Sequence, residues 1–232
     1  MKRKIYMNAL LYNKKVNCPV CNKEIVVTKV KSKSVKVMSR DTDLCVHYKD
    51  LNPLFYDIWV CEFCGYSNFQ DKFETILSRD IRAIKANISG HWASRSFSGE
   101  RTIDTAIETF KLALLNYKVR NSKSSDIARI CLRLAWLYRS KNDTKELDFL
   151  NFAVEAYRTA YEKERFPIDK LDEYTCMYII GELYRRLGKY EDCLQWFSKV
   201  ISSSGAKNVP NLLDMTRDQI QLAKDAMASQ KS

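Results

Sequence analysis

The sequence predicts an α+β protein that is mainly α: a small β-rich N-terminal module followed by an α-helical array. Three observations lead there. Gly and Pro number 6 and 4 in 232 residues, too few for an all-β or low-complexity chain. Short valine-rich and aromatic stretches separated by turn residues are confined to residues 13–66. From Phe73 onward, apolar residues recur at steps of three and four. The boundary falls after Asn68, giving a module over residues 1–68 and a helical domain over 69–232.

Within the module, Glu24–Val30 and Val35–Met38 predict strands, with Lys31–Ser34 as the turn between them. Asn52-Pro53 marks another turn, and Leu54–Val60, aromatic and β-branched, predicts a further strand. The first helical stripe is Phe73, Ile76, Leu77, Ile81, Ile84 and Ile88. The second is Ile103, Ala106, Ile107, Phe110, Ala113, Leu114 and Tyr117, and the third Ile127, Ile130, Cys131, Leu134, Leu137 and Tyr138. Further helices are expected over 146–163, 172–187, 190–203 and 211–228, with Leu187-Gly188-Lys189 as a tight turn between two of them.

No apolar run approaches the roughly 18–20 residues that span a bilayer, so no membrane partner is expected. Met1-Lys2-Arg3-Lys4 is basic like the start of a signal peptide. The following Ile5–Tyr12 is interrupted by Asn8 and lacks a small-residue cleavage site, so a mature, cytoplasmic protein is expected. In a reducing cytosol disulfides rarely persist. The eight cysteines are therefore read as metal ligands or core residues, with Cys131, Cys176 and Cys193 on helical patterns as small core side chains.

Two Cys-x-x-Cys pairs, Cys18-Pro19-Val20-Cys21 and Cys61-Glu62-Phe63-Cys64, point to one tetrahedral zinc ion. Each pair offers two thiolates on a tight turn. Asn22 and Gly65, directly behind the pairs, suit the left-handed backbone such turns require. Two knuckles with strands between them resemble a zinc ribbon with an enlarged insert. Four thiolates close the coordination shell, which favours a structural over a catalytic zinc. A module of this size has a thin core and benefits from such support.

Cys45 and His47, near Asp41 and Asp43, suggest a second constellation. One residue apart on a strand, Cys45 and His47 point to opposite faces and suit one metal poorly. In a loop that constraint relaxes. The readings are a buried thiol with a hydrogen-bonded histidine, or a metal site built with Asp41 or Asp43.

Net charge is +11, and residues 1–40 carry eleven Lys and Arg against Glu24 alone, so +10 of it lies at the cysteine-bearing end. Cations offset the net −2 of a zinc tetrathiolate. They could also track phosphates: Lys29, Lys31, Lys33 and Lys36 as contacts, with Tyr48, Phe55, Tyr56, Trp59 and Tyr66 as stacking platforms, make a nucleic-acid-binding surface the second functional reading.

The later helices resemble tetratricopeptide repeats. Met177, Ile180-Gly181 and Tyr184, followed by Gly188, Tyr190, Cys193 and Phe197, match the repeat pattern. Cys131, Leu134-Ala135 and Tyr138, then Ala153, Tyr157 and Ala160, make an earlier copy, and Ala106, Phe110 and Ala113 a half copy. The spacing Tyr138–Tyr184 is 46 residues, against about 34 in the repeat, which is assigned to a long turn over Ser140–Asp148 and a long loop around Pro167. The face of such helices that lines a concave groove here carries Arg129, Trp136, Arg139, Tyr178, Arg185 and Arg186, a set suited to an acidic peptide or a carboxylate terminus.

Leu11-Tyr12-Asn13-Lys14-Lys15, Cys18-Pro19-Val20-Cys21, Arg40-Asp41-Thr42-Asp43, Tyr48, Asn52-Pro53-Leu54-Phe55-Tyr56 and Cys61-x-x-Cys64-Gly65-Tyr66 together resemble a bacterial family catalogued as domain of unknown function 2225. The resemblance covers most of the chain. It implies a bacterial cytosolic protein with zinc knuckles and tetratricopeptide-like helices, and it supplies no activity. The expected function is a non-enzymatic, zinc-stabilised scaffold that binds a protein or peptide partner through its helices. The alternatives are the nucleic-acid-binding ribbon and a metal-dependent hydrolase using Asp41, Asp43, Cys45 and His47. No catalytic triad, phosphate loop or paired-His metal motif occurs in the sequence.

Overall fold

A computed structural model describes residues 9–230; the basic start Met1–Lys4 and residues 5–8 lie outside the described residues. Small antiparallel ladders come first and helices follow, as the sequence predicts. The chain forms two compact units. The first holds the residues up to Ser39, Val46–Ser122 and Trp136–Lys141; the second holds Arg40–Cys45, Lys123–Ala135 and the chain from Asn142. Two helices beyond residue 68 thus pack with the cysteine-bearing module.

In the first unit, β1 (Leu11–Asn17) pairs antiparallel with β2 (Glu24–Val30), from Leu11↔Val30 to Asn17↔Glu24. The predicted strand Glu24–Val30 is therefore present, whereas β1 carries no alternating pattern to announce it. Its buried ends, Leu11 and Val16, are an odd number of residues apart, so the strand offers different sides to two small cores. After a 3-10 turn at Ser32–Ser34 come β3 (Val37–Arg40) and β4 (Val46–Tyr48), which form a second ladder.

The predicted strand Leu54–Val60 is shorter than its composition suggests. Asn52 accepts a hydrogen bond from the Leu54 amide, and Pro53 supplies a helical φ, so Pro53–Tyr56 is a 3-10 turn. The strand β5 begins only at Ile58 and pairs, over Ile58–Val60, with β6 (Ser67–Phe69).

The apolar stripe starting at Phe73 enters as coil. Phe73 and Ile76 pack against the core before the helix α1 (Ser78–Asn87) begins, and Ile84 completes the burial. Helix α2 (Ile103–Val119) is capped by the Thr102 hydroxyl, which accepts from the Thr105 amide. Of its predicted stripe, Ala106, Ile107, Phe110, Ala113 and Tyr117 are buried, and Ile103 and Leu114 are half-buried. Phe69 stands edge-on to both Phe110 and Tyr117. Arg101 is nearly fully buried, and its guanidinium donates to the carbonyls of Phe55, Ile58 and Phe97, tying the strap before α2 to the turn before β5.

Helix α3 (Ser124–Ser140) runs through both units, with Ser124–Ala135 in the second. There it is joined by α4 (Lys145–Lys163), α5 (Glu173–Arg186), α6 (Tyr190–Ser202) and α7 (Leu212–Ser229). These limits lie within two residues of those predicted. The turn after Ser140 is short, not long: α3 ends at Ser140 and α4 starts at Lys145. The extra length of this helix pair sits in the 19-residue α4 and in residues 164–172.

Caps set the helix ends. The Ser125 amide and hydroxyl both donate to Glu164 at the head of α3, and Asp172 caps α5 through the Thr175 amide. Gly188, at φ 71°, ends α5 with the Lys189 amide bonded back to the Tyr184 carbonyl. Helices α5 and α6 then close tightly. A Cβ on Gly181 would lie 2.7 Å from ring atoms of Phe197, itself fully buried. We expect Gly181→Val to lower unfolding free energy by about 2 kcal/mol or more, because overpacking against Phe197 outweighs the small gain in helix propensity over glycine; urea denaturation of wild type and variant checks this.

Candidate metal centre

The two Cys-x-x-Cys turns are built alike. In the first, the Cys18 amide donates to the Lys23 carbonyl and the Asn22 amide to the Cys18 carbonyl. In the second, the Cys61 amide donates to the Tyr66 carbonyl and the Gly65 amide to the Cys61 carbonyl. Asn22 and Gly65 both adopt positive φ, 60° and 72°. Each turn spans the tip of a hairpin, one between Asn17 and Glu24 and the other between Val60 and Ser67. Equivalent backbones therefore present equivalent pairs of sulfurs.

The four sulfurs meet. Cys18 Sγ lies 3.6 Å from Cys64 Sγ, and Cys21 Sγ lies 3.6 Å from Cys61 Sγ. All four lie within 4.8 Å of one another. Zinc–sulfur bonds of about 2.3 Å in a tetrahedron put sulfurs about 3.8 Å apart, whereas a disulfide needs about 2.05 Å. The cluster thus has the size of a metal tetrathiolate, and no disulfide forms among the described residues. Cys18, Cys61 and Cys64 are buried and Cys21 is half-buried.

Electrostatics agree with a cation. Hydrogen bonds from the Cys61 and Cys64 thiols hold the Cys18 thiol down to about 4. The same contacts with Cys18 push Cys61 and Cys64 above the ordinary thiol range. Alone, four crowded thiols share their protons unevenly; a dication lets all four ionise together. Lys14 and Lys29 place their ammonium groups 5.9 and 5.6 Å from the centre of the Trp59 ring, in the same core as the cysteines, and Lys23 lies 4.6 Å from the Phe63 ring of the second turn.

Trp92 is a supporting residue that the sequence pattern does not single out. Its Nε1–H donates to the Glu62 carbonyl, and its ring lies where a Cβ on Gly65 would come within 2.6 Å. Ser89 Oγ donates to the Cys64 carbonyl. Gly65 therefore answers two demands, left-handed backbone and close approach. Its place directly behind a Cys-x-x-Cys pair signals the first; only packing reveals the second.

The Asp41–His47 turn gathers a carboxylate oxygen of Asp41, the Cys45 sulfur and a His47 nitrogen within 4.8 Å of one another. The opposed-face argument for Cys45 and His47 fails because Cys45 precedes β4 and belongs to the turn. Asp43 faces elsewhere: its Oδ2 lies 3.5 Å from Arg186 Nε, and its carboxylate is fully buried.

Of the residues predicted for a helical groove, Tyr178, Arg185 and Arg186 form one network on α5. Arg185 makes a two-pronged contact with Glu182, through Nε and Nη2 each at 2.8 Å, and Arg186 Nε reaches the same carboxylate at 2.9 Å. Tyr178 donates to the Thr42 carbonyl at 2.9 Å. Arg129 lies in the part of α3 within the second unit, and Trp136 and Arg139 in the part within the first; all three are half-buried. Among the aromatics considered for base stacking, Tyr56, Trp59 and Tyr66 are buried core.

A family model described as an uncharacterised protein conserved in bacteria (DUF2225) matches residues 11–223. The chain belongs to this family. Both cysteine pairs and helices α1 to α6 fall inside the matched span, and α7 begins within it. Neither a curated protein nor a solved structure matches the chain. No helix among the described residues is long and apolar enough to cross a membrane.

Metal analysis of purified protein is expected to return one zinc per chain from this centre. Cys18→Ser and Cys64→Ser each abolish it, while Cys176→Ser, a buried thiol pushed up to about 12 by burial, leaves it intact. Bound thiolates compete with protons, so acidification releases zinc and alkalinisation from neutrality does not; a chromogenic chelator followed across pH checks the sign.

Proposed function

We propose that this DUF2225 protein is a non-enzymatic, zinc-stabilised scaffold whose tetratricopeptide-like helices hold an acid-bearing segment of a protein partner. The cofactor is a structural zinc ion: four sulfurs complete a tetrahedron and leave no coordination position for a substrate. The tetratricopeptide-like reading is supported by the α5–α6 pair, with its glycine-ended turn and the close approach of Gly181 to Phe197.

One observation carries the reading. The α5 face holds the dipeptide Thr42-Asp43 through a tyrosine hydroxyl and an arginine, taking its carbonyl, hydroxyl and carboxylate. Recognition of an acidic peptide needs these same groups. Burial of Tyr56, Trp59 and Tyr66 removes most of the stacking platform that nucleic-acid binding would use.

The test is an array of ten-residue peptides, acid-bearing and neutral, probed with the full chain. Acid-bearing peptides are expected to be captured, and Arg186→Lys, which keeps a cation beside Glu182 and Asp43 but loses the planar fork, to reduce capture severalfold at unchanged zinc content and helical circular dichroism. Equal capture of both peptide classes, or undiminished capture by Arg186→Lys, rejects the reading.

A further inference from the structure

We infer that the Arg40–Cys45 loop is a resident, exchangeable occupant of the α5 face, and that the partner of this face presents a hydroxyl residue followed by an acid. The inference rests on the reading of that face as a protein-binding surface and names what it binds and how access to it is limited.

The loop and the helix belong to one compact unit. Thr42 is read at two points. Its carbonyl accepts from Tyr178 at 2.9 Å, and its hydroxyl donates to Glu182 Oε1 at 2.5 Å while accepting from Arg186 Nη2 at 3.2 Å. Asp43 supplies a third point, its carboxylate 3.5 Å from Arg186 Nε. Glu182 is itself fully buried and pinned by Arg185 and Arg186, so the acceptor that meets the Thr42 hydroxyl is preset. Serine or threonine followed by aspartate carries every one of these groups, in this chain or another.

Two features make the occupant exchangeable. The loop backbone closes on itself: the Asp41 amide donates to the Cys45 carbonyl, the Leu44 amide to the Asp41 carbonyl, and the Cys45 amide to Asp43 Oδ1. It can therefore leave the helix and keep its own turn. Leu44 also sits at φ 69°, in the left-handed region that leucine disfavours, so the resident turn carries a conformational cost that a competing segment with glycine or asparagine at that position does not. Against this, a tethered segment acts at an effective concentration on the order of millimolar, which shields the face from a dilute competitor.

The experiment uses the full zinc-loaded chain and a fluorescein-labelled peptide of residues 39–46 carrying Cys45→Ser, with binding read by anisotropy. The chain variant Thr42→Ala/Asp43→Asn is expected to bind the peptide at least tenfold more tightly than wild type. The same two changes in the peptide abolish binding, and adding Tyr178→Phe to the chain variant weakens it severalfold. Equal affinity for wild type and variant, or no binding to the variant, overturns the inference. If acid-bearing peptides are still selected from the array, the loop inference alone falls; if they are not, the proposed function falls with it. Should the double variant lose helical circular dichroism, Asp43→Asn replaces it, because Arg186 keeps its Glu182 pairing. Hydrogen exchange gives a variant-free check: excess peptide accelerates exchange at residues 41–45 of wild type, and unchanged exchange overturns the inference.

Discussion

Four sulfur atoms converging from two hairpin tips are the constraint on which the first unit is built. Their mutual distances fit a metal tetrathiolate, and four thiols this close do not all ionise unaided. Each local feature nearby follows from that demand. Asn22 and Gly65 turn the backbone through positive φ, and β1–β2 and β5–β6 deliver the tips. Val16, Val20, Ile25, Val27, Tyr66 and Phe73 pack around the cysteines. A core so small gains little from area alone, and a structural zinc contributes on the order of 10–16 kcal/mol in comparable small domains.

The second unit is organised around a buried charge network. Asp43 and Glu182 are both fully buried, a costly position for carboxylates without partners. Arg185 and Arg186 make it tolerable by geometry, the first through a two-pronged pairing. Such a network contributes less to raw stability than to specificity of arrangement, because every donor must meet its acceptor. It also leaves the α5 face covered by Thr42 and Asp43, where helix periodicity alone describes an open face.

Helices were the most legible part of the chain. Long stripes with period 3.6 placed α2 through α7 to within two residues, because burial on one face leaves a pattern in sequence. The short strands were less legible. β1 reads as polar because its two buried ends look to different cores, and Leu54–Tyr56 reads as strand although an Asn-Pro cap winds it into a 3-10 turn. Strands of three residues carry too little periodicity to outweigh local turn chemistry. The position of Trp92 against Gly65 was likewise hidden, since it pairs residues 27 apart with no shared motif.

By itself the sequence determined the ligand chemistry. Cysteine spacing and the residue behind each pair dictate two like turns, and a thiolate set of that size admits few cations. It determined the helices too, since their burial is written along one face. Only tertiary structure decided which groups meet across long separations: that Thr42 lies on Tyr178 and Arg186, and that Asp43 turns to an arginine. The reason is physical. Local pattern specifies backbone shape and which face is apolar, whereas contacts between polar side chains far apart in the chain depend on how the finished elements are brought together.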